Sequence, residues 1–237
     1  MAAIGAYELL SSTALVKERR LVIYAMAMAF CVSIWSGLGA QAQMGGIGIL
    51  VFSGLLFGEL LLTHTKQPLE KIAVTFVAGV LIPYLLTALV RMHSWNNGRY
   101  LILLPFAIAF LSDTGAYFTG RAFGKRKLAP IISPNKTIEG VVGGMAAAVL
   151  GVVIYCLILR FGFNFEINYM AIPLYGILGS LGGVFGDLCF SAIKRQTGIK
   201  DYGNLIPGHG GILDRFDSMI IVAPLTEILM LFIPMVK

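Results

Sequence analysis

The sequence predicts an all-α integral membrane protein, a polytopic helical bundle of about seven transmembrane helices. Hydrophobic residues fill 57% of the 237 positions and charged residues only 13%, and the mean hydropathy is +0.84. Soluble globular domains contain about 25% charged residues, so this composition excludes that class. Apolar stretches recur at the length that an α-helix needs to cross about 30 Å of hydrocarbon. We therefore expect one membrane-embedded domain over residues 1–237.

The expected transmembrane helices follow from these apolar stretches, taken in chain order. They lie at about 21–38, 45–62, 72–90, 101–118, 141–159, 169–190 and 212–235. Before the first of them, residues 1–20 are expected to form a short interfacial segment, helical around Tyr7–Leu10.

The distribution of basic residues predicts the orientation of the chain. Loops on one side of these segments carry 14 of the 18 Lys and Arg residues, which predicts that this side is cytoplasmic in a bacterial-type inner or plasma membrane. The net charge of +6 then reflects orientation and anionic headgroups, and no nucleic-acid partner is expected. The two most polar blocks, 112–140 and 187–217, reach this same side. Candidate chemistry therefore faces the compartment that contains nucleotides and Mg²⁺.

The most polar stretch runs from Ser191 to Asp217, between two hydrophobic segments. Its charged and titratable residues are Lys194, Arg195, Lys200, Asp201, His209, Asp214, Arg215 and Asp217. Such groups are costly to desolvate at a membrane boundary, so they indicate a polyanionic substrate held with metal ions. Asp187, near the end of the sixth segment, and Asp214, at the start of the seventh, are candidate ligands of a divalent cation. The alternative is a structural ion pair of either carboxylate with Lys194 or Arg215.

Three further candidates are a carboxylate in the fourth segment, the stretch before the fifth segment and a glycine-rich turn. Asp113, in the fourth segment, is expected either to bind metal or a substrate hydroxyl, or to make a helix-packing hydrogen bond. In Ser133–Gly140, Ser133, Lys136 and Thr137 suit phosphate binding at a helix N-terminus; the alternative is plain capping by Thr137, with Glu139 in the first turn. The Gly-rich turn around His209, with Gly210 and Gly211, would let backbone amides approach a phosphate.

Two motifs resemble the phosphatidate cytidylyltransferase (CDP-diacylglycerol synthase) family. The first is Ser191-x-x-Lys-Arg-x4-Lys200-Asp-x-Gly203-x2-Ile-Pro-x-His209-Gly-Gly-x2-Asp214-Arg-x-Asp217, and the second runs from Ser112-Asp-Thr-Gly-Ala-Tyr117 to Ser133-Pro-x-Lys-Thr-x-Glu-Gly140. The resemblance covers roughly Ala3 to the C-terminus. Family members usually carry further hydrophobic segments before a motif like Ala6–Leu9, so this chain is expected to be short at its N-terminus.

The resemblance implies that CTP and phosphatidate react to give CDP-diacylglycerol and pyrophosphate, with Mg²⁺. It also implies a second cation beside the Mg²⁺ and a homodimer. The implied metal ligands are Asp187, Asp214 and Asp217. The other implied site residues bind the phosphates, the nucleotide or the lipid headgroup: Lys194, Arg195, His209, Arg215, Asp113, Ser133, Asn135, Lys136, Thr137, Ser191, Lys200, Asp201, Gly210 and Gly211.

Other functions compete with this one. A related CTP-using lipid enzyme, such as a CDP-archaeol synthase or a polyprenol-type kinase, would share much of the chemistry. An ion-coupled transporter would also carry carboxylates within its spans, but inverted repeats and helices broken near mid-membrane would be expected there, and the sequence displays no repeat.

Overall fold

The computed structural model describes residues 1–38, 42–63, 68–205, 208 and 210–236. It is 77% helical, with a single two-stranded sheet among the described residues, so the predicted all-α class is confirmed. Six described helices are long and apolar enough to cross a membrane: Arg19–Gly37, Gly45–Leu62, Leu69–His93, Gly98–Phe123, Ile138–Phe163 and Tyr169–Thr197. They match the first six predicted segments to within a few residues at most ends. The chain is an integral membrane protein.

The seventh predicted segment, 212–235, forms two helices instead of one. A short helix covers Ile212–Phe216, and a 14-residue apolar helix covers Met219–Phe232. At 1.5 Å per residue the longer of the two extends about 21 Å, which is less than the hydrocarbon thickness of a typical bilayer. The break lies at Asp217 and Ser218, just after the charged pair Asp214 and Arg215.

The chain divides into two compact units, each built from two separate stretches of sequence. The first unit comprises Met1–Ser94 and Ile193–Phe216, and the second comprises Trp95–Ala192 and Asp217–Lys237. The expectation of one domain over residues 1–237 stays a prediction.

In the first unit, α1 covers Ala2–Tyr7 and continues into a π-helical turn at Glu8–Ser12. The membrane-length helices are α2 (Arg19–Gly37), α3 (Ala42–Leu62) and a third made of α4 (Leu69–Phe76), a π-helical turn (Val77–Leu81), α5 (Ile82–Leu86) and α6 (Ala88–His93). The short helix Ile212–Phe216, α11, also belongs here. The expected N-terminal helix is present, and its Glu8, Leu9 and Leu10 are buried.

In the second unit, α7 (Gly98–Leu101) leads into α8 (Leu103–Phe123), and a hairpin of β1 (Lys127–Ala129) and β2 (Ser133–Thr137) leads into α9 (Ile138–Phe163). A 3₁₀ turn, Tyr169–Ala171, precedes α10 (Ile172–Thr197), whose last residues belong to the first unit. α12 (Met219–Phe232) completes this unit.

Small residues bring the helices of the second unit together. A Cβ added at Gly144 of α9 would lie 2.8 Å from the carbonyl oxygen of Ser112 on α8, and one at Gly176 of α10 would lie 2.6 Å from Cα of Val149 on α9. Ser112 and Ser180 share a hydrogen bond of 2.7 Å between α8 and α10. Close approach over glycine is the usual way in which helices associate in lipid, where no hydrophobic effect drives them together. This packing sets the places of Asp113 on α8 and Asp187 on α10.

Candidate functional site

The β1–β2 hairpin is tied to the start of α9 by capping contacts. Thr137 is the N-cap, and its hydroxyl accepts the N–H of Gly140 at 3.1 Å. In the first turn, the Glu139 carboxylate accepts the N–H groups of Lys125 and Arg126 at 3.1 and 3.2 Å. The N-cap at Thr137, with Glu139 in the first turn, is thus confirmed. It fixes β2 in place, so Ser133, Asn135 and Lys136 project from an ordered strand.

A cavity of about 280 Å³ lies beside this strand in the second unit. It is lined by the following residues: Asp113, Ala116, Tyr117, Ser133, Asn135, Lys136, Thr137, Gly140, Val141 and Val184. Five of these are candidate site residues from the sequence, and they come from α8 and from the hairpin. The structure therefore brings residues from separate parts of the block 112–140 around one cavity.

Lys136 and Asp187 form an ion pair at this cavity. The Lys136 Nζ contacts Asp187 Oδ2, and each side chain is 24% exposed. Asp113 lies within electrostatic range of both charges. The sequence named Lys194 or Arg215 as the alternative partner of Asp187, whereas the partner in the structure is Lys136. Tertiary packing decides this pairing, because β2 and α10 are far apart in the sequence and meet only in the folded protein.

A second group of candidates surrounds the Asp214 carboxylate in the first unit. Asp214 Oδ1 lies 2.9 Å from Lys194 Nζ. Asp214 Oδ2 accepts the N–H groups of Tyr202 and Gly211 at 2.7 and 3.0 Å. Only 3% of the Asp214 side chain and 14% of the Lys194 side chain are exposed. The ion pair with Lys194, one of the two alternatives for Asp214, is therefore present, and both carboxylate oxygens have protein donors.

The remaining candidates in this stretch are mostly exposed. Arg195, Lys200, Asp201 and Arg215 are exposed, and Ser191 is half-buried. Arg195, Lys200 and Arg215 put three positive charges in this stretch, which favours a polyanionic ligand.

Two glycines of the Gly-rich turn require their special backbone freedom. Gly208 and Gly210 have φ of +75° and +81°, a region that other residues rarely adopt. His209 lies outside the described residues. Gly211 donates its N–H to Asp214 Oδ2, so in this structure that amide supports the carboxylate.

Glu8, for which the sequence predicted no role, contacts the same loop. Glu8 is 3% exposed, and its carboxylate accepts the N–H groups of Ile212 and Leu213 at 3.0 and 2.8 Å. A charged residue inside the apolar run Ala6–Leu10 is the sequence signal that could have found it.

The arrangement of carboxylates bears on the predicted metal. Among the described ranges, no three His, Cys, Asp or Glu side chains cluster as an all-protein metal cage. Mg²⁺ in nucleotide sites is usually held by one or two carboxylates together with substrate phosphates and waters. Asp187, which pairs with the cavity residue Lys136, meets that requirement as a single carboxylate. Asp217 accepts the N–H of Ser218 on Oδ1 at 2.6 Å. The donor set fits a cation that arrives with a phosphate ligand.

Similarity to a known protein family extends over most of the chain. The sequence profile of the cytidylyltransferase family matches residues 1–233. Proteins named phosphatidate cytidylyltransferase from Staphylococcus haemolyticus, Staphylococcus saprophyticus and Staphylococcus aureus are each 46% identical over 136 residues. That match covers 57% of this chain and 51% of each relative, so the similar region spans about half the length of these relatives. The chain belongs to the cytidylyltransferase family.

Proposed function

We propose that the protein transfers the cytidylyl group of CTP to phosphatidate, giving CDP-diacylglycerol and pyrophosphate. The observation that carries the proposal is the cavity lined by Asp113, Ser133, Asn135 and Lys136, next to Asp187. A cation, a hydroxyl and an amide beside a carboxylate suit a phosphate ligand with its counter-ion. The names of the staphylococcal relatives and the family match support the same reaction.

The reaction needs no general base from the protein. The nucleophile is an oxygen of the lipid phosphate monoester, whose second pKa is about 6, so it is already an anion at neutral pH. This oxygen forms a bond to the α-phosphorus of CTP, and the bond from that phosphorus to the pyrophosphate oxygen breaks. The electron pair leaves with pyrophosphate, and no proton is transferred in the step.

The main barrier is electrostatic, because two polyanions must meet. Two like unit charges about 4 Å apart repel by roughly 4 kcal/mol at an effective dielectric constant near 20. The cations that we assign to the substrate phosphates are Lys136 in the second unit and, in the first, Lys194, Arg195, Lys200 and Arg215. Ser133 and Asn135 orient the nucleotide or the headgroup by hydrogen bonds, which favours in-line attack.

Bound Mg²⁺ would neutralise phosphate charge and polarise the reacting phosphoryl group. Asp187 and Asp217 are the residues of the second unit that we propose to hold it, and the same role for Asp214 of the first unit stays a prediction from the sequence. Lys136 would then exchange its contact with Asp187 for a contact with substrate phosphate. A second cation, a homodimer and an active site that faces the cytoplasm also belong to this proposal, the last from the distribution of Lys and Arg.

The test is product analysis with purified full-length protein. CTP carrying label on the α-phosphorus, or on the γ-phosphorus in a parallel reaction, is incubated with phosphatidate with and without Mg²⁺, and the lipid is extracted. Cytidylyl transfer puts only the α-label into lipid and requires Mg²⁺. Transfer of the γ-label would show a kinase, and no label in lipid from either CTP would refute the proposal. ATP in place of CTP is the matched control for base selectivity.

A further inference from the structure

The Glu8 carboxylate occupies a defined place at the start of α11. Its Oε1 accepts the N–H of Ile212 at 3.0 Å, and its Oε2 accepts the N–H of Leu213 at 2.8 Å. These are the first two N–H groups of the helix Ile212–Phe216, which have no partner within it. Each carboxylate oxygen thus satisfies one donor, and the negative charge suits the positive end of the helix.

Two glycines of the polar loop between α10 and α11 lie against this carboxylate. A Cβ at Gly203 would lie 2.7 Å from Glu8 Oε1, and one at Gly211 would lie 2.6 Å from Glu8 Oε2. Both distances are shorter than a Cβ contact allows, so a side chain at either position would displace the Glu8 carboxylate. From the sequence, Gly211 was expected to let backbone amides approach a phosphate, whereas in the structure Gly203 and Gly211 leave room for Glu8. The two ends of the loop therefore meet the same buried side chain.

The contact reaches the candidate site through three consecutive steps. Gly211, next to Glu8, donates its N–H to Asp214 Oδ2. Asp214 and Arg215 lie on α11, whose first two amides Glu8 binds. Asp214 in turn pairs with Lys194. A shift of Glu8 would move the start of α11 and, with it, the groups that we assign to the phosphates of CTP.

We propose that Glu8 is a positioning residue, which fixes the polar loop and the start of α11 so that Asp214 and Arg215 are held for the reaction. This inference rests on the proposed function for its catalytic consequence, but the contacts themselves can be measured separately. Glu8 acts through its contacts with Gly203 and with the backbone of residues 211–213, and we assign it no contact with substrate.

The first test uses Glu8→Gln in the full-length protein. The amide side chain keeps the shape but offers one acceptor, and its NH₂ group faces the second N–H donor. We expect amide exchange at Ile212 and Leu213 to become at least tenfold faster, and the KM for CTP to rise at least fivefold. A smaller folded fraction would lower the apparent kcat but leave this KM unchanged. Glu59→Gln, which removes a carboxylate of the same unit near Tyr24, is the control and should change both quantities less than twofold.

The second test keeps the carboxylate and displaces it, in case Glu8→Gln does not fold. Gly203→Ala places a methyl group against Glu8 Oε1, and we expect it to reproduce both changes. Gly58→Ala is the matched control, since a Cβ there meets nothing within 4 Å. Unchanged exchange at Ile212 and Leu213, or faster exchange with an unchanged KM for CTP, would overturn the inference. A wild-type protein that makes no CDP-lipid would instead refute the proposed function, and the exchange result would still decide whether Glu8 holds α11.

Discussion

Replacing Asp214 by asparagine is expected to destabilise the protein as well as to stop its reaction. The carboxylate has three protein donors: Lys194 Nζ at 2.9 Å and the N–H groups of Tyr202 and Gly211 at 2.7 and 3.0 Å. Its side chain is only 3% exposed. An asparagine would keep one acceptor, turn an NH₂ group towards a donor and leave the Lys194 charge without its carboxylate partner.

The size of the effect follows from these contacts. Removing one member of a buried ion pair costs about 3–5 kcal/mol. Because Lys194 keeps 14% of its side-chain surface exposed and asparagine keeps the side-chain shape, we take the lower end, about 3 kcal/mol. For a chain of this length, each kcal/mol lowers the melting temperature by about 2–4 °C, so Asp214→Asn should melt about 6–12 °C below wild type.

The assay is thermal unfolding in detergent at a fixed scan rate, monitored by circular dichroism. Asp201→Asn, an exposed carboxylate of the same loop, is the control and should melt within about 2 °C of wild type. A Lys194→Met variant, alone and combined with Asp214→Asn, gives the coupling free energy of the pair, which we expect at about 2 kcal/mol. Melting of Asp214→Asn within about 2 °C of wild type would refute the structural argument. A rate within threefold of wild type, roughly 0.65 kcal/mol in the barrier, would refute its part in the reaction.

Three further predictions follow from the second unit. Lys136→Ala should lower kcat/KM for CTP or phosphatidate at least tenfold while the melting temperature changes by less than about 3 °C, because the pair with Asp187 is partly exposed; unchanged initial rates with both substrates would leave Lys136 only its ion pair. Thr137→Val should lower the free energy of unfolding by about 1 kcal/mol through loss of the N-cap, measured by denaturant titration, and a neutral result would mean that water replaces the cap. In oriented vesicles of a cysteine-free background, Asn96→Cys and Ile131→Cys should react with an impermeant thiol reagent from opposite sides, with Ile131→Cys on the cytoplasmic side. The reason is that one membrane-length helix, Gly98–Phe123, separates the two positions. Reaction of both cysteines from one side only would show that this helix does not cross the membrane.

Features that depend on neighbouring residues could be predicted from the sequence. Six membrane-length helices appear where the apolar stretches are, because hydropathy over about 20 residues decides whether a helix is stable in lipid. The N-cap at Thr137 and the place of Glu139 in the first turn of α9 were predicted as well, since an N-cap binds an N–H group only three residues away. The hairpin before α9 was not predicted, because a two-stranded ribbon of eight residues carries little periodicity.

The sequence by itself determined the membrane class, the six long helices and the family, because these rest on composition, local periodicity and long motifs. Only the tertiary structure decided the partners of the charges. Asp187 pairs with Lys136, Asp214 organises the loop from Lys194 to Gly211, and Glu8 binds the start of α11. The physical reason is that a carboxylate takes the donors that packing places within about 3 Å, and in the second unit glycine and serine contacts between helices determine where Asp187 lies.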